Sequence, residues 1–161
     1  MKRYLVAAGC TAALAAGAAV VWSQQPARAP AVRAAAATSP KIVVYKSPSC
    51  MCCGKWVTYM RANGFTVEVH DQDDLTAIKR AAGVPDDAVS CHTAQVGGYV
   101  IEGHVPVEAI RRLLTEHPAI KGLAVPGMVA GSPGMEQGNE HPHYDVMAIG
   151  RDGRLTTYTH N

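Results

Sequence analysis

One stretch of the chain, residues 41–70, constrains the fold more than any other. Lys41–Lys46 is a short apolar run with β-branched residues, which is typical of a buried strand. A helix is predicted from the Ser47-Pro48-Ser49 turn, whose last serine can act as the N-terminal cap, to about Ala62. Phe65–His70 alternates and predicts a second strand. A single helix between two strands of one sheet implies that the strands are parallel and joined right-handedly.

The rest of the sequence continues this α/β pattern. We expect a second helix that starts within residues 71–74 and ends at Gly83-Val84-Pro85, and then a hairpin of two short strands, Cys91–Val96 and Tyr99–Ile101, around Gly97-Gly98. A helix between Pro106 and Pro118 and a last hairpin around Arg151-Asp152-Gly153 follow. Residues 122–143 are rich in Gly and Pro, and so long a loop in a compact domain is usually functional or disordered. The summed order, β-α-β-α-β-β-α-β-β, predicts a thioredoxin-like α/β sandwich with a central mixed sheet and flanking helices.

The predicted domain spans residues 38–161, and residues 1–37 are expected to lie outside it. This first segment contains four basic residues and no acidic ones, and Tyr4–Trp22 is uncharged and rich in Ala, Val and Gly. Such a layout is that of a secretory signal peptide, here followed by a linker. An uncleaved N-terminal anchor is the alternative, because the apolar stretch approaches the roughly 20 residues that span a bilayer. Both interpretations predict an exported protein.

The charge of the predicted domain argues against nucleic acid as a partner. From Thr38 onward there are 11 Lys plus Arg and 13 Asp plus Glu, so the formal charge is 11 − 13 = −2, whereas the whole chain carries +2. The domain has no basic stripe and few aromatic residues, and nucleic-acid binding requires such features.

Three of the five cysteines stand together in Cys50-Met51-Cys52-Cys53, which we call the cysteine motif. Cys50 and Cys53 have the Cys-x-x-Cys spacing of thiol oxidoreductases, which need two thiols. The third thiol, Cys52, adds nothing to such an enzyme but gives a metal ion a third sulfur. A helix N-terminus carries partial positive charge, so it favours the thiolate, which is both the nucleophile and the metal ligand. The motif therefore favours a metal site and leaves a redox dithiol open.

Four more soft groups are candidate ligands. Cys91 supplies a fourth sulfur if it begins a strand near the motif; otherwise it is a buried free cysteine, which is common. His104 follows a predicted strand, where a solvated histidine is the usual alternative. Met128 and Met135 each follow a glycine in the Gly/Pro-rich loop. A thioether suits Cu(I), and packing against apolar surface is the alternative for both methionines.

The ligand types indicate copper first. Soft thiolates select Cu(I), and they also suit zinc and iron–sulfur clusters. Structural zinc sites usually combine two separated Cys-x-x-Cys pairs, whereas this chain has one compact cluster, so zinc is less favoured. Iron–sulfur clusters are uncommon in exported proteins, and their cysteine spacings differ from this one.

Five segments of the sequence have a combined pattern that is specific: Tyr45–Trp56, Ser90–Ala94, Gly98–Pro106, Gly122–Met128 and Gly131–Glu136. Together they resemble the bacterial CopG-like family of periplasmic, copper-resistance-associated proteins. The resemblance extends over residues 41 to about 159 and implies a thioredoxin-like fold with copper in a multinuclear Cu(I)–thiolate cluster. Carried over position by position, it gives an expected set of metal ligands: Cys50, Cys52, Cys53, Cys91, His104, Met128 and Met135.

The resemblance also implies a part in periplasmic copper handling. Copper ions and other periplasmic copper-handling proteins would be the partners, and membrane contact would occur only through an uncleaved N-terminal segment. Interconversion of Cu(I) and Cu(II) is the enzymatic activity to consider, and a thiol–disulfide oxidoreductase that uses Cys50 and Cys53 stays open as the alternative. Met51 departs from the family pattern, which often has glycine there, and it either adds a thioether or narrows access to the site.

Overall fold

The computed structural model describes residues 39–138 and 142–161. The predicted signal peptide or anchor at residues 1–37 lies outside the described residues. Within the described ranges, no helix combines the length and the apolar character that crossing a membrane requires.

Within residues 39–138 and 142–161, strands and helices follow one another nearly as the sequence predicts. The elements in chain order are β1 Lys41–Lys46, α1 Met51–Ala62, β2 Thr66–Asp71, α2 Thr76–Ala82, a 3₁₀ turn Asp86–Ala88, β3 His92–Val96, β4 Tyr99–Glu102, α3 Val107–Glu116, β5 Gly122–Ala124, β6 Asp145–Ile149 and β7 Leu155–His160.

The strands form one mixed sheet in the order β2-β1-β3-β4-β5-β6-β7. β1 pairs with β2 in parallel, as the single helical crossover requires, and β4 pairs with β5 in parallel. The other neighbouring strands are antiparallel. The α/β class and the central mixed sheet with flanking helices are thus confirmed, whereas the thioredoxin-like detail stays a prediction.

Both faces of the sheet are covered by apolar side chains. The larger buried cluster joins strand residues such as Ile42 and Ile101 to Trp56 of α1 and Ile110 of α3. The smaller cluster lies around Val84, Ala88, Val100, Ala124 and Ile149, so it includes the segment that follows α2. The helices therefore flank the sheet, and β1 and β3 lie side by side as its second and third strands.

Helix α1 is anchored by its buried face, which the sequence pattern identifies correctly. Trp56, Val57 and Met60 are all buried. The indole Nε1 of Trp56 donates a hydrogen bond to the carbonyl of Val105 over 2.9 Å, between residues 49 positions apart. This bond connects the start of α1 to the segment that follows β4, so it holds two parts of the candidate site together.

Several boundaries differ from the sequence prediction, and β2, for example, runs Thr66–Asp71 where Phe65–His70 was predicted. β5 (Gly122–Ala124) lies within the stretch that we predicted to be a loop, and all three of its residues are buried. α2 begins at Thr76, later than the predicted start within residues 71–74. β3 begins at His92, one residue after the predicted start at Cys91.

Candidate metal centre

The cysteine motif lies where β1 ends and α1 begins. The Cys50 N–H donates to the Ser47 carbonyl over 3.1 Å, which closes the connecting turn. Cys50 itself is the N-cap residue of α1. The predicted cap, Ser49, is therefore one residue too early, and its hydroxyl lies 3.0 Å from that of Ser47 instead. The first turn of α1 contains no acidic residue, so the partial positive charge of the helix N-terminus acts on the sulfurs without a competing carboxylate.

Two of the three motif sulfurs are bonded to each other. Cys50 and Cys53 form a disulfide with their Cα atoms 5.4 Å apart. The free Cys52 thiol lies 3.4 Å from the Cys50 sulfur. Cys53 is fully buried, whereas Cys50 and Cys52 are partly exposed. The motif therefore shows a dithiol in its oxidised form together with the extra thiol that a dithiol exchanger does not need.

Cys91 reaches the motif from the segment between the 3₁₀ turn and β3. Its sulfur and those of Cys50, Cys52 and Cys53 all lie within 4.8 Å of one another, and we call these four residues the sulfur set. Burial, and then the negative charge of the Cys52 thiolate, raises the pKa of the Cys91 thiol to about 11. Without metal, Cys91 is therefore a neutral thiol at pH 7.

His104 stands in the turn after β4 and is buried, with 1% of its surface exposed. Its Nδ1 lies 2.7 Å from the carbonyl oxygen of Pro133. Because a carbonyl only accepts, Nδ1 carries the proton and Nε2 directs its lone pair at the Cys91 sulfur, 3.0 Å away. Burial lowers the pKa of His104, although the Pro133 hydrogen bond opposes this shift. The ring is thus neutral and suited to act as a ligand.

His92 is a further member of the site that the sequence analysis did not assign. It is fully buried at the start of β3, with its Nδ1 3.7 Å from the Cys91 sulfur. Its ring lies 4.4 Å from that of Trp56 and 5.0 Å from that of His104, centroid to centroid. Burial, then the charges of His104 and two lysines, lowers the pKa of His92 well below its usual value. Strand alternation is the sequence feature that could have identified His92 as inward-facing. His92 lies on the same face of β3 as Ala94, which is in the core.

The predicted methionine ligands occupy different environments. Met128 is 69% exposed. Met135 is half-buried and, with Met51, Cys52 and Lys55, lines a surface pocket of about 250 Å³ beside the motif. Met51 is 83% exposed, so its thioether faces solvent at the mouth of the site. The structure thus brings Met135 close to the sulfur set and leaves the Met128 side chain largely in solvent.

Residues 129–136, which we call the cover loop, pack on the start of α1. The loop is closed by hydrogen bonds from the Gly131 N–H to the Met135 carbonyl, 3.0 Å, and from the Met135 N–H to the Ser132 carbonyl, 2.8 Å. Gly134 has a φ of +87°, and a Cβ there would lie 2.9 Å from the backbone nitrogen of Trp56. Only glycine permits so close an approach with that backbone conformation. The cover loop thereby places the Pro133 carbonyl against His104.

Comparison with known proteins points to one family. Residues 88–135 match a family described as a protein of unknown function, DUF411. No curated protein sequence matches the chain. A solved structure of "Copper resistance protein copG", form 2, is 39% identical, and the match covers 76% of this chain and 98% of that one with a TM-score of 0.72. The chain belongs to the CopG family. Form 1 of the same protein matches at 40% identity over 75% of this chain and 96% of that one, with a TM-score of 0.71.

In this CopG-family chain a buried ion pair supports the segment that carries Cys91. Glu102, at the end of β4, is fully buried, and its carboxylate accepts hydrogen bonds from the Ser90 N–H at 2.7 Å and the Thr93 hydroxyl at 2.7 Å. Lys79 of α2 pairs with the same carboxylate at 2.5 Å. Burial raises the pKa of Glu102, and its hydrogen bonds and Lys79 oppose that shift. Because Glu102 bonds to the residues on either side of Cys91 and His92, it fixes the backbone that positions both.

Proposed function

We propose that this protein binds copper as Cu(I) through the sulfur set and takes part in copper handling outside the cytoplasm. The observation that carries the proposal is the grouping of four cysteine sulfurs within 4.8 Å of one another. Kinship with the CopG family supports copper as the cargo, because the solved relatives are described as copper resistance proteins. Soft thiolates bind Cu(I) in preference to harder cations.

The arrangement of the ligands favours more than one copper ion. Thiolate sulfurs can bridge two metal ions, and four of them around one point offer several bridging pairs. The Nε2 lone pair of His104 faces this group, and the Met135 thioether lies beside it. The cover loop shields one side, so bound copper would be partly protected from water and oxygen.

A redox role for the motif follows from the Cys50–Cys53 pair. The reduced dithiolate gives up two electrons when the S–S bond forms, and two Cu(II) ions that each accept one electron become two Cu(I) ions. The two remaining cysteines, Cys52 and Cys91, are then available to hold the Cu(I) product, and the Cys91 thiol loses its proton as it binds. Interconversion of Cu(II) and Cu(I) is therefore the activity that we propose to test for this site.

Copper titration of the reduced protein tests the proposal. We expect the reduced chain to bind more than one equivalent of Cu(I) in competition with a chelator, and Cys52→Ser to remove a large part of this capacity. Ser49→Ala is the matched control, since its hydroxyl contacts Ser47 and not a sulfur. An unchanged copper capacity in Cys52→Ser would contradict the assignment of the sulfur set.

The alternative function is that of a thiol–disulfide oxidoreductase, which the Cys50–Cys53 disulfide at the N-terminus of α1 specifically favours. Such an enzyme would exchange disulfides with a protein substrate and would not need Cys52. Disulfide reduction that proceeds in the metal-free protein and survives Cys52→Ser would support this alternative. No exchange in the metal-free protein would leave copper as the function.

Export to the periplasm is also part of the proposal and is supported by the layout of residues 1–37. Fractionation of cells that express the full chain, with the mass of the mature product, is the test. Recovery in the periplasm with the first segment missing indicates a cleaved signal peptide, whereas recovery of the full-length chain in membranes indicates the anchor. Recovery in the cytoplasm would contradict export.

A further inference from the structure

We propose that the chain contains an inner metal site for a divalent cation of borderline softness, formed by Cys53, Cys91, His92 and His104. This inference deepens the proposed copper function and rests on it, since two of the four ligands are shared with the sulfur set. The cations that fit are Zn²⁺ and the spectroscopic probe Co²⁺, for which imidazole is a common ligand, whereas Cu(II) would oxidise the reduced dithiol that the site requires.

The positions of the four groups fit a single ion. One ligand atom from each residue lies within 4.8 Å of all the others. The Cys91 sulfur is 3.0 Å from His104 Nε2 and 3.7 Å from His92 Nδ1. In a tetrahedral site with the usual metal–sulfur and metal–nitrogen bond lengths, a sulfur and a nitrogen are about 3.5 Å apart. A small outward movement of His104 is therefore enough to admit the ion.

The hydrogen bonding of His92 supports a ligand role for its ring. His92 is fully buried, and within the part of the chain that the structure describes its Nε2 has no hydrogen-bond partner. Its Nδ1 makes only the long contact with the Cys91 sulfur. Buried polar side chains nearly always have good partners, so a ring this poorly satisfied requires an explanation. A metal ion at Nδ1 would give that nitrogen a strong partner in place of the long sulfur contact, while Nε2 keeps the ring proton.

His104 is prepared for the same ion by the cover loop. The Pro133 carbonyl accepts the Nδ1 proton and so fixes the tautomer in which Nε2 is the free ligand atom. A metal-bound histidine usually donates its other ring nitrogen in this way. The orientation is therefore already that of a ligand before a metal arrives.

Charge balance selects a divalent ion over Cu(I) at this inner position. Cys53 and His92 are fully buried and His104 is almost so. Two thiolates and two neutral imidazoles around a divalent cation form a neutral group, whereas the same ligands around Cu(I) carry one net negative charge. Burial disfavours net charge, so the inner site prefers the divalent ion. Cys53 becomes a ligand only when its bond to Cys50 is reduced, so occupancy requires the dithiol form.

Cobalt binding by the reduced full chain, without oxygen, tests the inference. We expect one equivalent of Co²⁺ with strong tetrahedral d–d bands and sulfur-to-cobalt charge-transfer bands. His92→Phe keeps an aromatic ring beside Trp56. We expect it to weaken Co²⁺ binding on the order of 100-fold. Losing a residue that only hydrogen-bonds to a metal ligand weakens binding roughly 10–100-fold, and losing a ligand should reach the upper end of that range. His70→Phe is the matched control, because His70 is stacked on Tyr45 in β1, with ring centroids 5.2 Å apart, and is not among the four inner ligands.

Two variants separate this inference from the proposed function. Cys52→Ser should keep the cobalt affinity and lose a large part of the Cu(I) capacity. His92→Phe should lose about 100-fold in cobalt affinity and keep most of the Cu(I) capacity, which also shows that it is folded. An unchanged cobalt affinity in His92→Phe, or a loss of cobalt binding in Cys52→Ser alone, would overturn the inner site. X-ray absorption of the wild-type cobalt complex gives an answer that needs no variant: two sulfurs and two nitrogens support the site, and four sulfurs refute it. Failure of Cu(I) to bind the wild type would refute the proposed function by itself.

Discussion

At the scale of single residues, burial is the largest influence on the ionisation of the groups that pack against the cysteine motif. The sequence places the cysteine motif at a helix start, where thiolates are favoured. Cys91 is brought to the motif from elsewhere in the chain, and burial raises its thiol pKa to about 11. The two nearby histidines respond in the opposite direction, since burial lowers the pKa values of both His92 and His104. The metal-free inner part of the site is therefore neutral at pH 7.

The raised pKa of Cys91 predicts slow alkylation of its thiol. In oxidised Cys52→Ser, Cys91 is the free thiol among the described residues. Its reaction with iodoacetamide should be slow at pH 8 and should keep rising with pH beyond the ordinary thiol range, because the thiolate forms only as the pH approaches the raised pKa. Mass spectrometry of the modified residue over time measures this rate. A rate that levels off near pH 9 would contradict burial as the cause.

The sequence indicates which residues belong to the site more reliably than it indicates which residues they contact. Cys91 and His104 are named as candidates, and the structure places the two side by side. His92 is missed because a single histidine beside a cysteine looks unremarkable until its strand is known to be buried. Its ring contacts Trp56 and His104, which come from separate elements and have no local pattern in the sequence.

At the scale of the elements, the turn after β4 sets the position of His104. Gly103 has a φ of +73° there, and its N–H donates to the His92 carbonyl over 2.9 Å. A Cβ at this position would collide with the Ser90 side chain and would lie 2.6 Å from the Val125 carbonyl. The turn is therefore restricted both by backbone conformation and by space.

Gly103→Ala should lower the free energy of unfolding by about 3 kcal/mol, since strained positive φ and displaced neighbours each carry a penalty. Copper affinity should fall as well, because His104 follows directly. Gly98→Ala is the matched control, with a φ of +83° and no neighbour within 4 Å of a Cβ, so it should cost only about 1–2 kcal/mol. Urea unfolding compares the two variants. Equal losses would show that crowding at Gly103 has no effect.

The Lys79–Glu102 pair connects α2 to the sheet beneath the site. Glu102→Gln leaves a lysine whose side chain is only 13% exposed without its anionic partner. Breaking a buried pair from one side typically costs about 3–5 kcal/mol, so urea unfolding should show a loss of that size. Lys79→Met combined with Glu102→Gln should recover part of it, because no charge is then left unpaired. A Glu102→Gln variant within about 0.5 kcal/mol of the wild type would contradict the role of the pair.

Most elements could be predicted because their patterns are local. The strand–helix–strand start and both hairpins follow from apolar periodicity and turn residues. β5 could not be predicted, because a strand of three residues in a Gly/Pro-rich stretch is too short to show alternation. Its residues form a strand because β4 and β6 supply hydrogen-bonding partners on both sides, and those strands are distant in sequence.

At the scale of the whole molecule, copper should stabilise the fold, because the sulfur set and His104 join the start of α1 to the segments before β3 and after β4. At a free Cu(I) concentration 100 times the dissociation constant, the reduced protein should gain about 2.7 kcal/mol against unfolding. Thermal unfolding with and without buffered Cu(I) measures the gain. Cys52→Ser should gain clearly less, and an equal gain in that variant would place the bound copper elsewhere.

The Cys50–Cys53 disulfide has a consequence for how the protein could work repeatedly. Its Cα atoms are 5.4 Å apart, and residues three positions apart in an ordinary α-helix are separated by about 5 Å. Forming or opening the bond therefore requires side-chain rotation and almost no backbone movement. In the proposed reduction of Cu(II), the two electrons would leave the first turn of α1 while the sheet and the cover loop keep their shape. Each cycle of the proposed reaction would therefore begin from the same backbone structure.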